Sequence, residues 1–280
     1  MIASLLVKFY CLVHGKLHLP GAGWLIRRML PIVPQLRNYP FKIPGVGTAM
    51  LDFRDTAALG MLNYSLDDFG DDKQLLKWLR RLLRPGDVLW DVGANLGYLT
   101  MYFAKTSPDL ASIHAFEPNP APLKTLQPLF SGSRLVRVHP VGLGSRDETM
   151  QLRTLGTDTG WGTVARSLEG QPGTEVRIRK GDSYRREQGI PSPNVMKIDV
   201  EGFEPEVMSG LQSTISEVRP CIVLEHIWLS DEQLRKLTPP DYSLRFIMED
   251  GTLSTDFSNR MQGINAILVH SADTRKEVLG

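Results

Sequence analysis

Between Asp71 and Leu83 apolar residues fall at three- and four-residue spacing, with Leu75, Leu76, Leu79, Leu82 and Leu83 forming one stripe. That period predicts an amphipathic helix, and Arg84-Pro85-Gly86-Asp87 supplies the stop and the turn that end it. The pattern then alternates. Val88–Val92 reads as a short apolar strand and Leu96–Lys105 as a helix. Ser112–Phe116 is a second strand, Ala121–Phe130 a second helix with Pro122 near its start, and Leu135–Val141 a third strand. After an interruption come strands at Val195–Val200 and Cys221–Leu224, separated by a helix with Val207, Leu211 and Ile215 on one stripe. Tyr242–Met248 and Asn265–His270 end the series as an expected antiparallel closing pair. Strands alternating with helices predict an α/β fold: a mostly parallel seven-stranded sheet with helices on both faces.

Two stretches do not follow the alternation. Residues 1–70 carry many prolines and glycines and read as a helical and irregular extension, a possible lid or partner contact, with paired strands across Phe41–Phe53. The domain proper is then 71–280, with an insertion at about 146–190. Its glycines and the alternating Val176 and Ile178 suggest a hairpin plus loop. Within it Trp161, between Gly160 and Gly162, is placed either to stack on an acceptor or to anchor the loop. The apolar run Met1–Val13 is interrupted by Lys8 and falls short of the roughly 20 residues that span a bilayer. It also lacks the charge and cleavage pattern of a signal peptide. A helix packed on the domain is the expectation. The lesser alternative is a peripheral membrane contact through Leu5, Leu6, Phe9, Trp24 and Leu25, with Arg27 and Arg28 alongside.

Composition changes this picture little. The 280 residues are 42% hydrophobic and 22% charged, ordinary globular values. The 32 Lys and Arg against 31 Asp and Glu leave +1, which gives no global field to recruit nucleic acid. Cys11 and Cys221 stand too far apart to form a thiolate zinc motif, and Cys221 lies in an apolar run, so free thiols and a cytoplasmic setting are expected. No histidine pair has metal-ligand spacing, and no metal is expected. Nothing in the sequence assigns an oligomeric state.

The chemistry begins where the first strand enters the first helix, at Asp91-Val92-Gly93-Ala94-Asn95-Leu96-Gly97. In an open parallel sheet ligands bind at the carboxyl ends of the strands. Gly93 permits a sharp turn, Gly97 permits close packing, and the free N–H groups of the helix start can receive a polar group. The Gly-x-x-x-Gly spacing is not the dinucleotide pattern, and Asp91 would repel a diphosphate while suiting a cationic ligand with an amino group and a sulfonium. Glu117, at the end of the second strand and 20 residues after Gly97, can accept both ribose hydroxyls.

These residues resemble the methyltransferase superfamily and, more narrowly, the FkbM family. The narrower likeness rests on Pro85–Gly97, on Ala115-Phe116-Glu117-Pro118-Asn119-Pro120, on Met196-Lys197-Ile198-Asp199-Val200-Glu201-Gly202-Phe203-Glu204, and on Arg219-Pro220-Cys221-Ile222-Val223-Leu224-Glu225. One departure is at Lys180-Gly181-Asp182-Ser183-Tyr184, where Asp182 alone matches the family's Leu-Asp-Asp-like stretch. The resemblance implies a Rossmann-like class I methyltransferase fold, S-adenosylmethionine as cofactor, and O-methylation of a hydroxyl on a small molecule, sugar or glycolipid. The expected cofactor set is Asp91, Gly93, Ala94, Asn95, Gly97, Glu117, Pro118 and Asp199. At the fourth strand Lys197 and Asp199 share a face. Asp199 and Glu201 are candidate proton acceptors, Lys197 a candidate hydrogen-bond donor, and His226, at the end of the fifth strand, a candidate base. Their bland alternative is an ion pair closing the strand–helix junction. Competing functions are a ribose 2'-O-methyltransferase, which Lys197 with its nearby acids leaves open, and a non-catalytic nucleoside-binding module. Near-zero net charge disfavours nucleic acid.

Overall fold

The computed structural model describes residues 2–13, 22–55, 57–65, 72–155, 158–163 and 173–280. The strands in chain order are β1 (Tyr39–Ile43), β2 (Gly47–Leu51), β3 (Val88–Val92), β4 (Ser112–Phe116), β5 (Val136–His139), β6 (Gly142–Gly144), β7 (Glu148–Leu155), β8 (Asp158–Thr163), β9 (Gly173–Lys180), β10 (Val195–Ile198), β11 (Cys221–Glu225), β12 (Tyr242–Ile247), β13 (Leu253–Ser254) and β14 (Asn265–His270). The helices are α1 (Ile2–Val13), α2 (Ala22–Met29), α3 (Ala57–Ser65), α4 (Lys73–Leu82), α5 (Tyr98–Thr106), α6 (Pro120–Phe130), α7 (Gly181–Glu187), α8 (Glu204–Gly210), α9 (Gln212–Val218), α10 (Asp231–Leu237) and α11 (Lys276–Leu279).

The predicted strands assemble into one sheet in the order β13-β12-β14-β11-β10-β3-β4-β5. Strands β11, β10, β3, β4 and β5 run parallel, and β14 lies antiparallel between β11 and β12. This is the Rossmann-like sheet the alternation implied, with the two-residue β13 as an eighth strand at the edge. Positions in β3 and β10 are buried throughout, because both faces are covered. Alternation sorts their side chains. Leu89, Ile113, Val195 and Val223 face one cluster with Leu75, Leu76 and Leu79 of α4, and Trp90, Met196 and Leu224 face a second with Val207, Leu211 and Ile215. The first cluster extends without interruption to Ala3, Val7 and Tyr10 of α1. No helix among the described residues is long and apolar enough to cross a membrane. Both cysteines are free, and Cys221 is buried.

Three local features differ from the sequence expectation. The hairpin and loop expected at 146–190 belong to a second, four-stranded sheet, ordered β6-β9-β7-β8. Strand β6 carries no hydrophobic period because Ile178 of β9 lies over both its glycines: a Cβ on Gly142 or Gly144 would sit 2.7 or 2.6 Å from that side chain. The single helix expected through Val207, Leu211 and Ile215 is broken into α8 and α9. A Cβ on Gly210 would lie 1.8 Å from the Gly144 carbonyl oxygen, so the helix ends against β6. Asp182 then accepts hydrogen bonds from the Ser213 and Thr214 backbone N–H groups at the start of α9, which is what that family-matching acid does here. Third, the fourth strand stops at Ile198, so Asp199 lies just beyond the sheet edge. Trp161 is in β8, but its side chain lies outside the described residues.

Candidate active site

The chain runs β3, β4, β5 outward in one direction and returns to place β10 on the other side of β3. The crevice at such a reversal is where open α/β sheets hold ligands. Here a cavity of about 550 Å³ opens at the carboxyl ends of β3 and β10.

One wall is the β3–α5 loop. Gly93 has φ +86°, and its N–H and that of Ala94 both donate to the Phe116 carbonyl at 3.0 Å. A Cβ on Gly93 would sit 1.8 Å from the Asp199 carbonyl oxygen, so the glycine is required by the neighbouring strand end as well as by the turn. Gly97, also at φ +86°, packs on α6, where a Cβ would meet Leu126 at 2.3 Å; it does not line the cavity. Glu117 does line it. Its two oxygens accept the Asn95 N–H at 2.8 Å and the Asn119 N–H at 2.7 Å, which ties the loop to β4. Burial pushes the Glu117 carboxyl up to about 7 against the lowering effect of those two donors. Beyond it Pro118, Phe116, Leu143, Leu152, Ile178 and Phe203 make an apolar lining, three of them supplied by the second sheet.

The other end is ionic. Lys197 pairs in register with Asp91 across β10 and β3, and its ammonium lies 2.8 Å from Asp199 Oδ2 and 3.9 Å from Asp91 Oδ1. Asp91 is therefore no open anion at the loop's mouth. It is fully buried, its Oδ2 accepts Thr100 Oγ1 at 2.7 Å, and its Oδ1 has no hydrogen-bond partner among the described residues. Burial works against the Lys197 cation, but Asp199 and Asp91 outweigh it and hold the ammonium above its ordinary pKa. Glu201, in a left-handed turn at φ +56°, accepts the Trp228 indole N–H at 2.7 Å. The Glu204 carboxylate folds back to accept the Val200 and Gly202 N–H groups at 3.0 and 3.2 Å and so fixes that turn.

Glu225 completes this end. It lies on the same sheet face as Lys197, and oxygens of Asp199, Glu201 and Glu225 fall within 4.8 Å of one another. Burial, then the Asp199 and Glu201 charges, push the Glu225 carboxyl up to about 10, so at neutral pH it carries a proton. These three are the described residues that can hold a metal ion, although Lys197 and the Glu225 proton already offset their charge.

His226 does not join them. One position after Glu225, it faces the opposite side of the sheet, fully buried, with its ring edge-on to Phe246. Burial lowers its pKa to about 4, and it is not among the cavity's lining residues. Its position at the end of the fifth strand suggests a place in the site, but its side chain lies on the sheet face that holds Phe246.

A sequence model of the methyltransferase FkbM domain matches residues 91–251, more than half of the chain. The chain belongs to the FkbM methyltransferase family. Among curated relatives it is 28% identical over 177 residues to the hexuronic acid methyltransferase AglP of Haloferax volcanii, covering 62% of this chain and 70% of that one. It is 31% identical over 160 residues to the 31-O-demethyl-FK506 methyltransferase FkbM of Streptomyces tacrolimicus, covering 46% of this chain and 61% of that one. Among solved structures, a methyltransferase FkbM from Methylobacillus flagellatus KT aligns at 17% identity and TM-score 0.48, over 89% of this chain and 60% of that one.

For this FkbM-family chain, the cavity brings together nine of the residues named from sequence: Asp91, Gly93, Ala94, Asn95, Glu117, Pro118, Lys197, Asp199 and Glu201. Sequence reasoning passed over Glu225, Trp228, Tyr98 and Asp72, which line the same cavity. Strand alternation alone could have found Glu225, since Val223 and Glu225 share the face that Lys197 occupies on the adjacent strand.

Proposed function

We propose that this chain transfers the methyl group of S-adenosylmethionine to a hydroxyl oxygen of a small molecule or sugar. The observation that carries the reading is that Glu117 and the Lys197–Asp199–Glu201 group line one cavity. The residues fit the cofactor. Glu117 spends one lone pair per oxygen on backbone N–H groups and retains the others for ribose hydroxyls. Phe116, Leu143 and Ile178 give an apolar bed for a base.

When bound, the cofactor supplies an electrophilic methyl on a sulfonium. Lys197, held charged by two carboxylates, cannot act as a base and instead donates to the acceptor oxygen, fixing it in line. Asp199 or Glu201 receives the hydroxyl proton, with Trp228 setting the orientation of Glu201. The names of two relatives specify a hexuronic acid and an O-demethyl compound, which supports an oxygen acceptor. The acids Asp72, Asp199 and Glu201 among the cavity's lining residues count against a nucleic-acid substrate, whose phosphates they would repel.

Calorimetric titration with S-adenosylhomocysteine tests the cofactor, and transfer of labelled methyl to hexuronic-acid glycans and to hydroxylated small molecules tests the acceptor. Glu201→Gln is expected to lower turnover about a hundredfold or more, the usual scale for losing a positioned proton acceptor, while cofactor affinity changes little. Absence of S-adenosylhomocysteine binding to the wild type would remove the proposal.

A further inference from the structure

The first part of the chain has a charge pattern of its own. Lys8, Lys16, Arg27, Arg28, Arg37 and Lys42 all precede Asp52, the first acidic residue, leaving 26 cations against 31 acids in the rest. Near-neutrality of the whole thus conceals a strongly basic segment on a mildly acidic body.

Helix α1 is apolar almost all round, a composition suited to full burial. Only one side is buried, through Ala3, Val7 and Tyr10. Its outer side presents Ile2, Leu5, Phe9 and Leu12 in one stripe, each about half exposed or more. Helix α2 packs on α1 and adds Trp24, 63% exposed, with the Arg28 guanidinium 5.3 Å from its ring centroid; Ile32, 72% exposed, follows. Lys8, Arg27 and Arg28 are exposed around these apolar residues. Apolar side chains on one helical side, an interfacial tryptophan and a fringe of cations without acids are the features of a surface that lies in the headgroup layer of a membrane.

We infer that the outer face of α1 and α2 docks on an anionic lipid bilayer, with Ile2, Leu5, Phe9, Leu12 and Trp24 entering the headgroup–acyl boundary and Lys8, Arg27 and Arg28 meeting lipid phosphates. Charge complementarity selects this occupant over a second copy of the chain, whose identical basic face would be repelled. The surface is one helix removed from the acceptor end of the cavity. The Tyr10 hydroxyl donates to Asn63 Oδ1 of α3 at 2.6 Å, and Gly60 of α3 lies against the Tyr98 ring that lines the cavity. The docking surface stands on its own. Its corollary, that the methylated hydroxyl is carried on a lipid-anchored molecule, rests on the methyl-transfer reading above.

Flotation of the full chain with vesicles of phosphatidylcholine containing about one-third phosphatidylglycerol, against pure phosphatidylcholine, tests the surface. Binding is expected only to the anionic vesicles and to weaken with salt. The double change Arg27→Ala and Arg28→Ala is expected to weaken partitioning roughly thirtyfold, from the known gain per basic residue near such a surface. Phe9→Glu is expected to abolish it. All three positions are exposed, so the variants fold, which unchanged melting temperatures verify. Brominated lipid should quench part of the tryptophan emission in the wild type and less in Trp24→Phe. Equal binding to both vesicle types, no binding to either, or wild-type binding by Phe9→Glu overturns the inference. So does a dimer in solution that Phe9→Glu dissociates, or salt-sensitive capture by heparin that does not depend on Phe9. Vesicle binding requires no turnover, so its loss leaves the reading of the cavity untouched.

Discussion

Glu117 is held in a position where its charge is costly. Two backbone donors favour the carboxylate, burial opposes it, and the balance puts its pKa at about 7. Ribose hydroxyls donate to the carboxylate far better than to the neutral acid, whose own proton occupies one oxygen. Cofactor affinity is therefore expected to fall as pH drops below about 7 and to level off above it. Between about pH 8 and pH 6 the loss should approach tenfold, the value for one linked proton on a group whose pKa is about 7. Calorimetry of S-adenosylhomocysteine at several pH values measures it, and titration near neutrality in buffers of different ionisation enthalpy should register proton release. Glu117→Gln should bind more weakly and lose the pH dependence. An affinity that is the same at both ends of the range would show that this carboxyl does not contact the cofactor.

At the level of elements, comparable backbone conformations carry different burdens. Gly45, in the β1–β2 turn, and Gly93, in the β3–α5 loop, have φ of +77° and +86°. Nothing lies within 4 Å of a Cβ added at Gly45, whereas one at Gly93 would overlap the Asp199 carbonyl. Gly45→Ala should cost about 1 kcal/mol, the penalty for a side chain in the left-handed region. Gly93→Ala adds a backbone collision, which forces the loop away from β10, and should cost at least about 2 kcal/mol more and abolish cofactor binding. Chemical denaturation of the two variants compares them directly, and equal costs would refute the contact. The same glycine logic explains how far the sequence could be read. Val88–Val92, Ser112–Phe116, Val195–Ile198 and Cys221–Glu225 are legible because buried parallel strands must be apolar runs. Strand β6 was not, because Gly142 and Gly144 are chosen by the approach of Ile178 and not by burial of their own side chains. The break between α8 and α9 was hidden for the same reason at Gly210. Asp91, Glu117 and Asp199 were legible because motif spacing fixes them at strand ends. Trp228 and Tyr98 were not, since only tertiary packing brings them to the cavity.

Across the whole molecule, buried groups of opposite character set the pH at which the fold is most stable. Burial lowers His114, His139 and His226 to about 4 in the folded chain. The unfolded state therefore binds protons more readily as pH falls below the free histidine value of about 6.5, and stability is lost on the acid side. Glu225 works the other way. Its folded value near 10 lies far above that of a free carboxyl, so the native state retains a proton that the unfolded chain gives up. The stability this provides is complete below the unfolded carboxyl value and drains as pH climbs toward 10. Above neutrality the histidines have nothing left to add and Glu117 has already ionised, which leaves Glu225 to dominate. A melting temperature that peaks near about pH 6.5 and declines from about 7 to 9 is expected, with a slope of at most about 1.4 kcal/mol per pH unit from this one group. Glu225→Gln mimics the protonated acid without a proton to lose. It should match the wild type only near the unfolded carboxyl value of about 4, already melt higher at neutrality, and widen that lead up to about pH 9, as the alkaline decline flattens. If the wild type melts at a constant temperature across that interval, or the variant declines in parallel with it, then Glu225 enters the folded state ionised and the acceptor end of the cavity carries one more negative charge than assigned here.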